Sequence, residues 1–408
     1  MVAYRTQSGK HRVTLDADDR GPAEYFHGRT AIRTMFRQFL AAAERSRRGT
    51  TFLVQGAPGA GKTALLDVLS RIPSTSTWMT VHINARALHD PAWMADELTL
   101  AAQGLNLGGS QDAGPVYTPD PSALAVQRVL LNPPPMGRGL LLILDEAQTI
   151  LIQPKGAPIP HTLNAIHNGG FGHPVVLLAG GLSNSKTAFA TMGISRFRGG
   201  NLVNLGRLSR ESERAVIRDW LVLAGGARGD VDPWIDAISK ETQGWPHHIV
   251  SYGSPAAQLL KLNGGTLPDQ DWQAVLNFGR QRKREYYEER ASEIALEDLA
   301  LLGGAIRCFG KDRQWSHSQI VSVLEVARNA DPLETKGIVE TMLAKGILAG
   351  DMRTYHVPIP SMEDWLQERF AAAMQASPDV WRDIFESIKA ALRPAAKGQF
   401  GFSGQAGG

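Results

Sequence analysis

The feature that most constrains the fold of this chain is a glycine-rich octapeptide early in its sequence. Residues Gly56–Thr63 read GAPGAGKT and match the pattern G-x-x-x-x-G-K-[ST] at every position. Thr51–Gln55 before it predicts a short buried strand, and Lys62–Arg71 predicts a helix with leucines on its inner face. In that context glycines let backbone N–H groups turn towards phosphate oxygens, and the helix N-terminus adds a positive dipole end. The octapeptide therefore predicts a phosphate-binding loop between a strand and a helix.

Two side chains of this loop have predicted roles beyond the backbone cradle. Lys62 is expected to reach the β- and γ-phosphates of a nucleoside triphosphate, and the Thr63 hydroxyl is expected to ligate Mg²⁺. We therefore expect ATP and Mg²⁺ as the ligands of this site. The predicted nucleotide-binding residues of the loop are Gly56, Ala57, Pro58, Gly59, Ala60, Gly61, Lys62 and Thr63.

A second set of candidate residues follows a fully apolar run. Leu140–Leu144 is typical of a strand that is covered on both sides of its sheet. Asp145 leaves the end of this strand, where a carboxylate holds Mg²⁺ through its water shell, so Asp145 and Thr63 are the predicted metal ligands. Glu146 follows directly and is predicted to polarise the water that attacks the γ-phosphate. Asp145 also completes the predicted nucleotide-binding set.

A third polar segment follows the next apolar run, Val175–Ala179. In a parallel sheet of this type, a polar residue at the end of that strand contacts the γ-phosphate or the attacking water. Ser183 and Asn184 are the candidates for this role, and an ordinary glycine-rich turn is the alternative.

The order of these runs predicts an α/β fold, because strands alternate with helices up to about residue 208 and helices follow thereafter. Further helices are predicted within Pro91–Leu105 and around Ser122–Leu131. The predicted organisation is a flexible arm at 1–23, a P-loop α/β core at 24–208, a helical lid and linker helix at 209–290, a winged-helix-like domain at 291–376, and a C-terminal helix with a disordered tail at 377–408.

The C-terminal part has the element order of a winged helix. Leu299–Cys308 predicts an apolar helix, Ser316–Gln319 is a capping box that opens a second helix, and Asp331–Lys345 predicts a third. A hairpin follows from Ile347, and Ser361–Asp364 is predicted to cap a final helix. A winged helix predicts DNA contact or protein docking, and its mildly charged recognition helix leaves both interpretations open.

Taken together, these motifs resemble the AAA+/STAND group of P-loop ATPases, and in particular initiator-like and transposition-helper-like ATPases with a C-terminal winged helix. Phe26–Arg29 resembles the "GR" box that precedes the P-loop in this group and packs near the adenine. The resemblance implies an AAA+-type sheet with a helical lid. In Gly193–Ser209, Arg196 and Arg198 match positions of an arginine finger that completes catalysis at a neighbouring subunit. Solvated loop arginines are the alternative.

The segment Thr242–Ile249 resembles the "GWP" lid motif, but it departs from the pattern. His247 and His248 stand where the group usually offers an arginine to the γ-phosphate. A histidine there can donate a hydrogen bond. We favour the alternative, in which Pro246 starts a helix and the histidines are partly buried.

Composition excludes several other classes of protein. A single cysteine, Cys308, excludes an intramolecular disulfide framework, and no run approaches the roughly 18 to 20 apolar residues of a membrane helix. The first residues lack the apolar core of a signal peptide, so we expect a cytoplasmic protein. The net charge of +3 is small, although residues 1–50 and Gly279–Arg284 are locally basic. These clusters indicate either phosphate-backbone binding or solvated faces.

Two functional hypotheses follow. In the first, the chain is an ATPase whose nucleotide state controls assembly, with double-stranded DNA and a homo-oligomer or protein partner as candidate partners. In the second, it is a nucleotide-gated signalling or interaction switch with little turnover and no direct DNA binding. DNA-stimulated turnover distinguishes the first from the second.

Overall fold

The computed structural model describes the following stretches of the chain: 2–5, 12–15, 25–73, 78–83, 139–152, 163–164, 166–197, 200–326, 332–350 and 353–392. Some predictions lie outside the described residues, namely the helices within Pro91–Leu105 and around Ser122–Leu131, Arg198, and the tail from 393 onward. Within the described stretches, no helix combines the length and the apolar character that crossing a membrane requires.

The first described elements form a small hairpin. Strand β1 covers Val2–Arg5, strand β2 covers Arg12–Leu15, and the two pair antiparallel. Both lie in the segment for which the sequence predicted an arm. Backbone pairing between two short strands needs no apolar period, which explains why the sequence pattern gave no sign of it.

A five-stranded parallel sheet forms the centre of the core, in the order β4-β5-β6-β3-β7. Its strands are β3 (Gly49–Gly56), β4 (Trp78–Ile83), β5 (Gly139–Leu144), β6 (Val175–Gly181) and β7 (Leu202–Leu205). β5 and β6 are buried along their whole length. The prediction of an α/β fold with a parallel sheet is confirmed.

The two faces of this sheet bury different residues of the same strands, because successive side chains of a strand point to opposite sides. Helices α1 (Thr30–Ser46) and α2 (Lys62–Ser70) pack with one face, which includes Phe52, Val54, Leu141, Ile143, Val176 and Leu178. Helix α3 (Ser185–Thr191) contributes Phe189 to the other face, which includes Leu53, Leu140, Leu142, Leu144, Val175 and Leu177. The continuous apolar runs are thus explained by burial on both sides.

Four helices follow the core. They are α4 (Arg210–Asp219), α5 (Asp232–Thr242), α6 (Pro246–Leu262) and the long α7 (Asp269–Ala291). Ser209 caps α4 by accepting a hydrogen bond from the Ser212 backbone N–H. A π-helical turn at Trp220–Ala224 follows α4 directly, within a run whose sequence is typical of a regular helix.

A buried carboxylate joins this group of helices. Glu213 of α4 is 4% exposed and accepts hydrogen bonds from the Ser239 hydroxyl, the Thr242 hydroxyl and the Gly244 backbone N–H. Three donors satisfy a charge that burial would otherwise penalise strongly. The turn that precedes α6 is therefore tied to α4 and α5.

The C-terminal part contains helices and a small three-stranded sheet in the order β8-β10-β9. Its elements are α8 (Leu296–Phe309), β8 (Trp315–Ser316), α9 (His317–Glu325), α10 (Pro332–Lys345), β9 (Ala349–Gly350), β10 (Thr354–His356), α11 (Pro360–Ala376) and α12 (Pro378–Ala391). Helices and hairpin occur in the predicted order, and the capping box at Ser316 is confirmed. The winged-helix assignment of this part stays a prediction.

The predicted cap at Ser361–Asp364 is wrong. Helix α11 begins at Pro360, and its N-cap residue, Ile359, makes no side-chain cap hydrogen bond. Proline at the first helical position has a fixed φ and no N–H to satisfy, so the helix starts there. The Ser361 hydroxyl is instead hydrogen-bonded to the Tyr287 hydroxyl, with 2.7 Å between the oxygens.

Candidate functional site

The glycine-rich octapeptide lies where the sequence placed it, between β3 and α2. Gly59 and Gly61 have φ angles of 74° and 87°, and Gly61 is the N-cap of α2. These left-handed conformations suit glycine and turn the loop back over the first turn of the helix. The N-terminal N–H groups of α2 therefore face the space that the loop encloses.

Lys62 is folded back over the loop. Its side chain is 6% exposed, and Nζ donates hydrogen bonds of 3.1 Å to the Gly56 and Ala57 carbonyl oxygens. Burial lowers the pKa of the Lys62 ammonium, while the carboxylates of Glu146 and Asp145 act in the opposite direction. The ammonium group therefore lies near the carboxylates that leave β5.

Thr63 and Asp145 bring two oxygen ligands together. The Thr63 hydroxyl donates to Asp145 Oδ2 across 2.5 Å, although the residues belong to α2 and to the end of β5. Hydroxyl and carboxylate oxygens are the ligands that Mg²⁺ prefers, and Mg²⁺ keeps several waters when one or two protein groups bind it. The donor set therefore fits the predicted metal.

Glu146 is exposed at the mouth of the site and has a positive φ of 55°. Its backbone N–H donates to Asp145 Oδ1 at 2.9 Å, and its carboxylate accepts a hydrogen bond from the Gln148 side-chain amide. Gln148 Oε1 in turn accepts from the Leu182 backbone N–H at 3.1 Å. Gln148 thus links Glu146 to the end of β6. Gln148 is not among the site residues predicted from the sequence. Its position two residues after Glu146 is the feature of the sequence that could have indicated its role.

Most of these residues line one cleft with a volume of about 650 Å³, and Asp145 is joined to it by its hydrogen bond to Thr63. Its wall includes Lys62, Thr63, Glu146, Gln148, His247 and Arg290. A smaller apolar cavity of about 110 Å³ adjoins the cleft and shares four residues with it, Gly61, Ala64, Pro246 and Val250. A polar cleft beside an apolar cavity matches the two halves of a nucleotide, a polyphosphate and a base.

The "GR" box lies in the wall of the small cavity, together with Tyr25 and Trp220. His27 Nε2 is 2.6 Å from Asp219 Oδ2, and the Arg29 guanidinium donates to the Gly206 carbonyl at 2.5 Å. Burial lowers the pKa of Arg29. The box therefore contacts helix α4 through Asp219 and lies beside the apolar cavity.

The two lid histidines follow the alternative that the sequence analysis favoured. Pro246 starts α6, and His248 is fully buried, with Nε2 at 2.9 Å from the Tyr287 hydroxyl. Burial lowers the pKa of His248 well below its ordinary value, so the ring is neutral at pH 7. His247 lines the cleft, and its backbone N–H donates to the Gly59 carbonyl at 3.2 Å.

The structure does not bring every candidate residue to the cleft. Arg196 is exposed, and among the described residues the wall of the cleft includes neither Arg196 nor Ser183 nor Asn184. The contact at the end of β6 comes instead from Leu182. Arg198 lies outside the described residues, so the assignment of an arginine finger stays a prediction.

Solved structures share this fold. A Walker-type ATPase of Pyrococcus abyssi is 11% identical, with a TM-score of 0.56 over 87% of this chain and 99% of that chain. The Orc1 protein of Aeropyrum pernix in complex with DNA is 14% identical, with a TM-score of 0.43 over 86% and 93%. The RuvB Holliday junction branch migration motor of Thermotoga maritima is 16% identical, with a TM-score of 0.42 over 84% and 95%. No family model and no curated protein matches this chain. The chain therefore has the α/β fold of the Walker-type ATPase.

Proposed function

We propose that this protein is an AAA+/STAND-type ATPase that binds ATP with Mg²⁺, hydrolyses it, and uses its nucleotide state to control assembly. The observation that carries the proposal is that Lys62, Thr63 and Glu146 line one cleft at the N-terminus of α2, with Asp145 hydrogen-bonded to Thr63. This set comes from two separate elements, and it contains a cation for phosphate binding, two candidate metal ligands and an exposed carboxylate.

Each residue has a role in this proposal. The loop N–H groups and Lys62 bind the phosphates, and the apolar cavity beside the "GR" box accepts the base. Thr63 and Asp145 hold Mg²⁺, which supplies positive charge next to the phosphate oxygens. Glu146, oriented by the Gln148 amide, accepts the proton of the attacking water.

Hydrolysis by the Glu146→Gln protein tests this assignment. We expect Glu146→Gln to keep ATP binding and to lose turnover by about 10²- to 10⁴-fold, because a neutral amide does not accept the proton. Glu211→Gln, at an exposed position in the first turn of α4, is the matched control and keeps full turnover. Full turnover in Glu146→Gln would contradict the assignment.

DNA is the first candidate partner of the assembly. Ion pairs within one of the two basic clusters reduce the support that this cluster gives to DNA binding. In the basic cluster Gly279–Arg284, Arg280 and Lys283 pair with Glu241, while Arg282 pairs with Glu285 and Arg284 with Glu288. Paired cations contribute less to phosphate binding than free ones do. Support for DNA then rests on the element order of the C-terminal part and on the basic N-terminal segment.

A nucleotide-gated switch is the second candidate, and a contact of the C-terminal part favours it. Gly346, which follows α10, packs so closely on the loop that an added Cβ would lie 2.2 Å from Pro58 Cδ. Through this contact, a movement of the loop on nucleotide binding would be transmitted directly to the C-terminal part. Turnover that rises with double-stranded DNA at low salt supports the first candidate. An ATP-dependent change in oligomer size without DNA binding supports the switch.

A further inference from the structure

Arg290 is a cation of the cleft that the sequence motifs do not include. It lies in the last turn of α7, far in sequence from the loop, and it lines the same cleft as Lys62, Thr63 and Glu146. Among the described residues, it does not line the small apolar cavity. Arg290 therefore belongs to the phosphate end of the proposed nucleotide site.

The surroundings of Arg290 satisfy only part of its hydrogen-bonding capacity, and Tyr286 supplies that part. Its Nε is buried without a hydrogen-bond partner, and among the described residues no carboxylate lies within ion-pair distance of its guanidinium. The guanidinium carbon lies 4.0 Å from the centre of the Tyr286 ring, which holds the group by a cation–π contact. The Tyr286 hydroxyl donates to the Pro58 carbonyl at 2.7 Å, so the aromatic support is itself attached to the loop.

Arg290 also acts on Lys62 through its charge. Both side chains line the same cleft, and both carry a positive charge. Two cations that line one cavity repel each other, and a polyanion bound between them removes that repulsion. A guanidinium whose donors are only partly satisfied suits phosphate oxygens, which guanidinium groups bind in a bidentate manner.

We propose that Arg290 contacts the terminal phosphate of the bound nucleotide and makes the cleft prefer a triphosphate to a diphosphate. The inference rests on the proposed nucleotide-binding function. The loop and Lys62 bind the inner phosphates, and Arg290 lines the same cleft as Glu146, the residue proposed to act at the terminal phosphate. His248, fully buried and bonded to Tyr287, does not supply this cation from the lid motif.

The affinities of the Arg290→Met protein for two nucleotides test the proposal. Methionine keeps an apolar stem to pack on Tyr286 and removes the charge. We expect the affinity for β,γ-imido ATP to fall about 10-fold, equivalent to about 1.4 kcal/mol, while the affinity for ADP changes less than about 2-fold. Arg290→Lys recovers part of the loss, because lysine keeps the charge without the planar fork. Arg284→Met, at an exposed position of the same helix, changes neither affinity.

Each outcome has a defined meaning. The proposal is overturned if Arg290→Met prefers the triphosphate to the diphosphate as strongly as the wild-type protein does. It is also overturned if Arg284→Met changes this preference as much as Arg290→Met does. Thermal midpoints without nucleotide show whether each variant is folded, and Arg290→Lys provides the same comparison if the methionine variant does not fold. Wild-type protein that binds neither nucleotide refutes the proposed function itself.

Discussion

At the scale of single residues, Thr63 and Asp145 carry the metal assignment. Their oxygens lie 2.5 Å apart, so removal of the hydroxyl removes one ligand and leaves the carboxylate in place. We expect Thr63→Val, which keeps the side-chain shape, to bind ATP in EDTA as the wild-type protein does. The gain in ATP affinity on adding Mg²⁺ should be at least about 10-fold smaller in Thr63→Val, since the Thr63 hydroxyl would help to hold the metal beside the phosphates. Titration of nucleotide with and without Mg²⁺ measures this difference.

Thr63→Ser is the matched control for that experiment, because serine keeps the hydroxyl and loses only the methyl group. Its response to Mg²⁺ should equal that of the wild-type protein. An undiminished response in Thr63→Val would contradict the assignment of the hydroxyl as a metal ligand.

Sequence and structure agree on single residues where the signal is local. The loop and the Asp145–Glu146 pair are short patterns attached to strands, so their geometry follows from the strand that precedes them. Arg290 has no such signal. It is one of several cations on a charged helix, and only the packing of α7 against the loop distinguishes it from its exposed neighbours.

At the scale of elements, a buried carboxylate holds helix α11 to the loop after α8. Glu363 is 1% exposed, and both of its oxygens accept from the Asp312 backbone N–H, at 3.0 and 3.3 Å. Burial raises the pKa of Glu363 to about 7, from an ordinary value of 4.5. The folded state therefore binds a proton that the unfolded state releases between these two values. The free energy of unfolding should fall as pH rises from about 4.5 to about 7.

Glu363→Gln removes this titration and keeps one acceptor for the Asp312 N–H. The wild-type protein should have a larger free energy of unfolding near pH 5 than near pH 8, and we expect this difference to be smaller in Glu363→Gln. Urea unfolding of each protein at both pH values measures the difference. Glu368→Gln, at an exposed position of the same helix, should keep the wild-type dependence. Parallel pH profiles of Glu363→Gln and the wild-type protein would show that this carboxyl does not control the effect.

Apolar runs and capping chemistry located the core strands β3, β5 and β6 and the helix that Ser316 caps. The errors have physical causes. The cap at Ser361 was displaced by Pro360, which fits the first turn better, and the π-helical turn at Trp220–Ala224 arises within a run that reads as a regular helix. The start of α11 thus follows from local chemistry, in which proline at the first helical position outweighs a serine cap, whereas the local sequence does not mark the π-helical turn.

At the scale of the whole molecule, the contact between Gly346 and Pro58 joins the C-terminal part to the proposed nucleotide site. Gly346 has a φ of 72°, and an added Cβ would lie 2.2 Å from Pro58 Cδ. We expect Gly346→Ala to displace the loop and to weaken ATP and ADP binding by about 10-fold or more, because small misplacements of binding groups are costly. Equilibrium titration of each nucleotide measures the effect.

The Gly264→Ala variant distinguishes the effect of this contact on nucleotide binding from the effect of backbone strain. Gly264 also has a positive φ, of 64°, but an added Cβ there meets nothing within 4 Å. Both variants should lose thermal stability, since alanine is strained at a positive φ. Equal nucleotide affinities in the two variants would show that the C-terminal part does not act on the loop through Gly346.

The dissociation constant of MgATP for the wild-type and Lys62→Ala proteins tests the central claim most directly. The structure places the Lys62 ammonium over the loop, within the cleft that Thr63 and Glu146 also line. We predict that the wild-type protein binds MgATP and that Lys62→Ala weakens binding by about 100-fold, equivalent to about 2.7 kcal/mol. Lys186→Ala, which removes an exposed lysine from α3, should bind as the wild-type protein does. Equal binding by the wild-type and Lys62→Ala proteins, or no binding by either, would contradict the account.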